Sequence, residues 1–304
     1  MNPPEDFDPP AGQAQTLAPG LQRILAPNPS AMTWRGTNTY LVGTRNLAVI
    51  DPGPSDPAHL QAIVNSLRPG QSISHILVTH AHLDHSPLAA DLARETGAPI
   101  LAYGDALAGR SAVMQGLAES GMAGGGEGVD HSFRCDIALA DGACVQGDGW
   151  QITAHWTPGH FGNHLAFQWG DAVFSGDLVM GWASSLVSPP DGDLTQFMAS
   201  CAKLRALNAR ILHAGHGAPV TRPSARIDWL IAHRNARETA ILQALAQGPA
   251  TAQALARSIY TETPPALLPA ATRNLFAHLV DLTGKNRVQP QGRLAYTAVF
   301  KTIS

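Results

Sequence analysis

At 304 residues, with 44% hydrophobic and 14% charged side chains, the chain has a globular composition and room for roughly two domains, and no apolar run approaches the ~18 residues of a membrane helix. Its three cysteines (Cys135, Cys144, Cys201) lack C-x-x-C spacing, which excludes a disulfide framework and a thiolate zinc site and leaves histidine and carboxylate as metal ligands. The net charge of −3 divides unevenly: residues 1–232 carry 12 Lys/Arg against 20 Asp/Glu, and residues 233–304 carry 8 against 3.

The N-terminus, MNPPEDFDPPAGQAQ, is acidic and proline-rich and reads as irregular. It has neither the basic nor the apolar region of a secretory signal, so the cytoplasm is the expected compartment and no membrane partner is expected. TNTYLVG and NLAVID then read as two strands, with Asp51 ending the second. DPAHLQAIVNSL has helical spacing, HILVT (75–79) is a compact apolar strand, and PLAADLARETG reads as a helix closed by Gly97 before the strand APILAY. Residues 104–149 show little pattern, and GMAGGGEG within them reads as a loop. WQITAHW, HLAFQW and AVFS are three further strands, followed by the helix LTQFMASCAKLRAL and the strand ARILHA. From about residue 226 the pattern turns helical. IDWLIAHRNARETAILQALAQ, TAQALARSI and PALLPAATRNLFAHLVDL, followed by a hairpin around QPQG, predict a winged-helix unit over 233–304 behind a hydrolase domain over 1–232.

The stretch THAHLDHS (79–86) gathers His80, His82, Asp84 and His85 directly after an apolar strand. Imidazoles and carboxylates are costly to bury without partners, and their spacing suits metal coordination better than packing. Three more candidates follow other strands: His160 in TPGH, Asp177 in SGD and His216 in AGHG. Loops at one edge of a rigid sheet are where catalytic groups tend to be mounted.

These motifs, with IDPG at 50–53 and TPGHFGNH at 157–164, stand in the order of the metallo-β-lactamase-fold hydrolases, which the chain resembles over almost its whole length. The resemblance implies an α/β fold, an αββα sandwich. It also implies that His80, His82 and His160 bind one metal, Asp84, His85 and His216 another, and Asp177 bridges the two. The implied cofactor is a pair of Zn(2+) ions, other divalent transition metals being alternatives, with a metal-bridging hydroxide as nucleophile. Asp84 and Asp177 are then catalytic carboxylates as well as ligands. His164 either protonates a leaving group or anchors the TPGHFGNH turn; Asp51 either hydrogen-bonds a ligand histidine or caps a turn. The intact Asp177 and the missing export signal speak against lactam antibiotics. His82, where the diiron flavoproteins carry glutamate, favours zinc over redox iron.

NPSAMTWRGTNTYLVG, VSPPDGD and HRNARETAIL resemble the branch with a C-terminal winged helix, some of whose members are endoribonucleases on single-stranded RNA. A zinc phosphodiesterase on RNA is therefore one expectation, with Arg273, Lys285, Arg287 and Arg293 as phosphate contacts. The alternative is hydrolysis of a small ester, thioester (as glyoxalase-II-like relatives do) or lactone, in an apolar pocket near Trp34, Trp182 and 188–193 roofed by the second domain. A nucleic-acid-binding regulator with a relic hydrolase domain is a third reading, opposed by the intact ligand set. Winged helices also serve as dimer modules, so a homodimer is among the expected assemblies. A broad channel lined by Arg273 and Arg287 would favour RNA, and a closed pocket a small molecule.

Overall fold

The computed structural model describes residues 7–303, so the first six residues of the acidic start lie outside it. Residues 7–14 form no helix or strand, as expected, and from Gln15 the chain forms an unexpected hairpin, β1 (Gln15–Ala18) and β2 (Leu21–Leu25), turning at Gly20, whose φ of +74° suits a residue without a Cβ. The pair continues into β3 (Asn38–Val42) and β4 (Asn46–Ile50), all antiparallel. Helix α1 (Pro57–Asn65) starts at Asp56, whose carboxylate accepts from the Ala58 and His59 amides, filling two otherwise unpaired donors. It leads to β5 (Ser72–Leu77), then α2 (Leu88–Thr96), closed by left-handed Gly97, and β6 (Ile100–Ala102).

The pattern-poor stretch holds three short elements: α3 (Ala112–Glu119), β7 (Ile137–Ala138) and β8 (Cys144–Gln146). At two or three residues such strands are too short to show a period. GMAGGGEG is a loop, as expected. Then come β9 (Gln151–Trp156), β10 (Leu165–Trp169), β11 (Ala172–Gly176), α4 (Leu194–Ala206), β12 (Ile211–Ala214) and the long α5 (Pro223–Leu245).

Strands β1 to β7 form one sheet in chain order, parallel from β4 onward, and β12-β11-β10-β9-β8 form the second. Period-two alternation sends one set of side chains between them: Tyr40, Val42, Ala48 and Ile50 of the first sheet meet Ile152, Ala154, Leu165, Phe167 and Phe174 of the second. The opposite faces carry helices. Leu41, Val49 and Ile76 pack under α1 and α2, while Val173 and Leu212 pack under α4 and α5 through Phe197, Leu204, Ile227 and Leu230. This helix–sheet–sheet–helix layering is the αββα sandwich. Its buried aromatics matter most: truncating a core phenylalanine such as Phe167 to alanine costs about 3–5 kcal/mol.

The C-terminal unit comprises β13 (Ala250–Thr251), α6 (Ala252–Ile259), α7 (Leu268–Gly284) and the wing β14 (Val288–Pro290) and β15 (Val299–Thr302), in the order β13-β15-β14. Its core joins Leu255, Leu275, Phe276 and Phe300 to Ile241 and Leu245 of α5 and to Met114 and Leu117 of α3. The expected division at 232/233 falls inside unbroken α5. That helix packs Ile227 and Leu230 on the sandwich, and Ile241 and Leu245 in the C-terminal core. No helix among the described residues is long and apolar enough to cross a membrane.

Candidate metal centre

Residues 79–86 leave the end of β5, 157–164 join β9 to β10, Asp177 follows β11 and His216 follows β12, so all seven predicted ligands arrive at one edge of the paired sheets. Asn38 at the start of β3 stitches the two sheets there, donating through Nδ2 to the carbonyls of Ala214 and Gly217.

All seven are brought together and buried. Nδ1 of His82 lies 2.9 Å from Nε2 of His80 and 3.1 Å from Nε2 of His160. Beside this nitrogen triad, His85 Nε2 is 3.3 Å from His216 Nε2, and Asp84 Oδ2 is 3.2 and 3.1 Å from those two atoms. Asp177 stands between the groups, with Oδ2 3.1 Å from His216 and 3.7 Å from His160, and Oδ1 3.5 Å from His85. Room is kept by Gly215, where a Cβ would stand 2.3 Å from Asp177 Oδ1 and 2.7 Å from His85.

Four of the five imidazoles are fixed from behind through Nδ1. His80 meets Thr79 Oγ1 at 2.9 Å, His85 meets Asp51 Oδ2 at 2.9 Å, His160 meets the Leu186 carbonyl at 2.7 Å and His216 the Gly36 carbonyl at 3.1 Å. Donation from Nδ1 leaves the Nε2 lone pair facing the cluster, the tautomer that metal ligation needs. Asp51 also accepts from the Thr79 hydroxyl and amide at 2.7 Å each, so it orients His85 directly and His80 through Thr79. Asp51 thus makes the expected hydrogen bond to a candidate ligand histidine. Thr37 Oγ1 donates to Asp84 Oδ2 at 3.2 Å.

Electrostatics divide the cluster. Burial, joined by the neighbouring imidazoles, holds His80 and His82 uncharged, His82 down to about 3. Burial also opposes charge on Asp84 and Asp177, but His85 and His216 outweigh it and hold both carboxyls well below the usual range. Conversely, burial works against protonation of His216, yet Asp177 and Asp84 raise it to about 10. Two buried carboxylates thus demand positive charge at the point where imidazole nitrogens meet. Divalent cations meet that demand with the imidazoles neutral. The nitrogen and oxygen spacings match the ~3.3 Å separation of ligands around a tetrahedral zinc, and Asp84 Oδ1 and Asp177 Oδ1 form no hydrogen bond. The donor set fits the metals that the resemblance implies.

His164 lies elsewhere. Fully buried, its Nδ1 contacts Thr157 Oγ1 at 2.9 Å and its ring packs 5.2 Å from that of His80, behind the cluster. A group shut away from substrate has no leaving group to protonate, so the anchoring role fits and the catalytic one does not.

A cavity of about 330 Å³ opens onto His82, Asp84, His160, Asp177 and His216. Trp182 lines it as expected, whereas Trp34 stands behind, 5.7 Å from the Trp182 ring. Residues 188–193 form no part of its wall; Asp193 caps α4 and Asp191 pairs with Arg110. The far side belongs to the C-terminal half, with His233, Arg234, Arg237, Tyr260 and Asn274 among its lining. No sequence motif marks His233, Arg234 or Arg237 as site residues; their i, i+1, i+4 spacing on α5 is the available signal.

The family model described as "Metallo-beta-lactamase superfamily" matches residues 32–216. The chain belongs to this superfamily. A second model, the "Beta-lactamase associated winged helix domain", matches residues 251–295. The superfamily chain is 32% identical to the Beta-lactamase-like protein 2 homolog of Drosophila melanogaster, over 90% of this chain and 91% of that one. It is 29% identical to an atrochrysone carboxyl ACP thioesterase of Cryptosporiopsis sp. (strain 8999), over 82% of this chain and 70% of that protein. The fold matches that of a metallo-beta-lactamase family protein from Thermus thermophilus, with a TM-score of 0.75, 24% identity, and 95% and 100% of the two chains covered. The protein is a metallo-beta-lactamase superfamily hydrolase with a histidine–aspartate cluster that can bind metal.

Proposed function

We propose that the protein hydrolyses an acyl ester or thioester at a dinuclear zinc centre in which His80, His82 and His160 hold one ion, Asp84, His85 and His216 the other, and Asp177 both. The observation that carries this is the cavity: it lies directly on the cluster, is roofed by the C-terminal unit, and is walled by Met180, Trp182, Leu186, Leu267, Ala270 and Ala271. The thioesterase name of one relative adds support.

When bound, such a metal pair supplies Lewis acidity, lowering the pKa of water and polarising a carbonyl oxygen. The protein's part is placement. Asp51, Thr79, Leu186 and Gly36 hold the imidazoles in one tautomer, and the cavity's apolar walls exclude bulk water around the scissile bond. Asp84 lines the cavity and its Oδ1 forms no hydrogen bond, so in this reading its carboxylate would take the proton from the attacking water and pass it to the leaving group. The cytoplasm is the compartment we propose, on the strength of three cysteines that are all free.

Single-stranded RNA fits less well. Arg273 donates to Ala123, Ser188 and Pro189, and Lys285 pairs with Glu238 and Asp281, so two of the four expected phosphate contacts are engaged internally. None of the four lines the cavity. Full-length protein loaded with zinc, assayed on S-acyl thioesters and on single-stranded RNA across a salt series, decides the matter. Chelator-sensitive thioester turnover with little salt dependence is expected. RNA cleavage falling steeply with salt, with no thioester turnover, overturns the proposal.

A further inference from the structure

The roof of the cavity carries unbalanced positive charge. On α5, His233, Arg234 and Arg237 face the cavity together. Arg234 is only 2% exposed, yet its guanidinium meets neutral acceptors alone: the Ser184 and Ser185 carbonyls at 2.7 Å and Asn274 Oδ1 at 3.1 Å. Arg237 rests on the Tyr260 ring, 4.6 Å from its centre. Neither forms an ion pair with a carboxylate among the described residues. Glu238, next in sequence, is turned to Lys285 at 3.0 Å instead. Burial and then the Arg234, Arg237 and Arg226 charges push His233 down to about 4, as a positive local field requires. Apart from the cluster's Asp84 and Asp177, Glu127 is the single acidic residue among those lining the cavity, and it accepts from Ser30 at 2.6 Å.

A cation beside a low-dielectric cavity without a counter-charge is costly, and an anion entering that cavity recovers the cost. A guanidinium propped on an aromatic ring is already oriented to donate to carboxylate or phosphate. We infer that the substrate carries an anionic group remote from its scissile carbonyl, and that Arg237, backed by Arg234, binds that group at the roof while the carbonyl sits at the cluster. This rests on the ester-hydrolase reading and specifies its substrate class. Two sources supply such an anion: a carboxylate on the acyl chain or a phosphate on the leaving group.

The test uses matched thioesters on full-length, metal-loaded protein. S-butyryl pantetheine is neutral, S-succinyl pantetheine adds a carboxylate to the acyl end, and S-butyryl 4′-phosphopantetheine adds a phosphate to the other. At least one charged compound is expected to exceed the neutral one in kcat/KM, chiefly through KM, and which one does so identifies the source. Arg237→Gln should shrink that ratio roughly tenfold, as loss of a charge-assisted hydrogen bond does, and Arg237→Lys should restore part of it. Arg287→Gln, an exposed cation outside the cavity, should leave the ratio as in the parent protein. A non-hydrolysable S-butyl thioether of phosphopantetheine or S-carboxypropyl thioether of pantetheine should bind correspondingly more weakly to the Gln variant by calorimetry. Equal kcat/KM for all three substrates, or a ratio indifferent to Arg237→Gln, overturns the inference while thioester hydrolysis stands. Absence of turnover on every thioester brings down both.

Discussion

The floor and the roof of the cavity hold their side chains differently. On the floor, four imidazoles each use Nδ1 on a fixed oxygen, and Asp51, at the left-handed φ of +52°, spends strain to reach two of them. On the roof, Arg237 lies on one ring, and His233 Nδ1 forms no hydrogen bond. An over-constrained floor suits chemistry that tolerates little displacement of its ligands; a sparsely tied roof suits selection of what enters. The two are joined at one segment. Arg234 holds the Ser184 and Ser185 carbonyls, Asn274 Oδ1 accepts from the Val187 amide at 2.9 Å, and Leu186 between them accepts from His160.

The contrast can be broken most sharply at the floor. Asp177→Ala should reduce thioester hydrolysis to background while circular dichroism retains the folded spectrum; unchanged turnover would refute the site assignment. Asp51→Ala should weaken metal affinity by about 10- to 100-fold, read by competition with a chromogenic chelator, because two imidazoles lose their orientation. Stripping the metal should lower the melting temperature in proportion to occupancy, with about 2.7 kcal/mol at stake when free metal stands at 100 times its Kd. The joint between floor and roof is the next test. Asn274→Ala should cost about 1–3 kcal/mol in denaturant unfolding, since the buried Val187 amide loses its acceptor. It should also loosen metal binding measurably, and metal affinity identical to the parent's would show that the roof does not support His160. Smallest of all, His164→Asn should alter stability without changing the pH profile of kcat, since the ring is sealed behind His80.

The convergence of the seven side chains was legible because metal chemistry restricts residue types so tightly: H-x-H-x-D-H after an apolar strand, with three more His or Asp at later strand exits, has few packing explanations. Most helices and the central strands were legible too, through apolar periods long enough to read. Strands β1, β2, β7, β8 and β13 were not, being short, polar in places or without alternation. His164 resembles a ligand by its position in TPGHFGNH, and only the packing of β10 against the residues after β5 shows that it faces inward. The positive face of α5 carries no sequence signal, because Arg234 and Arg237 on an amphipathic helix look like any solvated surface.

By itself the sequence determined which groups are able to bind metal and which layers they hang from, since ligand chemistry and hydrophobic period are properties of residue type and spacing. Only the tertiary structure decided that this one helix packs into both the sandwich and the C-terminal core and lays its arginines over the cluster. Such a placement depends on how two cores pack around one helix, through contacts between residues far apart in the chain, and no local pattern records it.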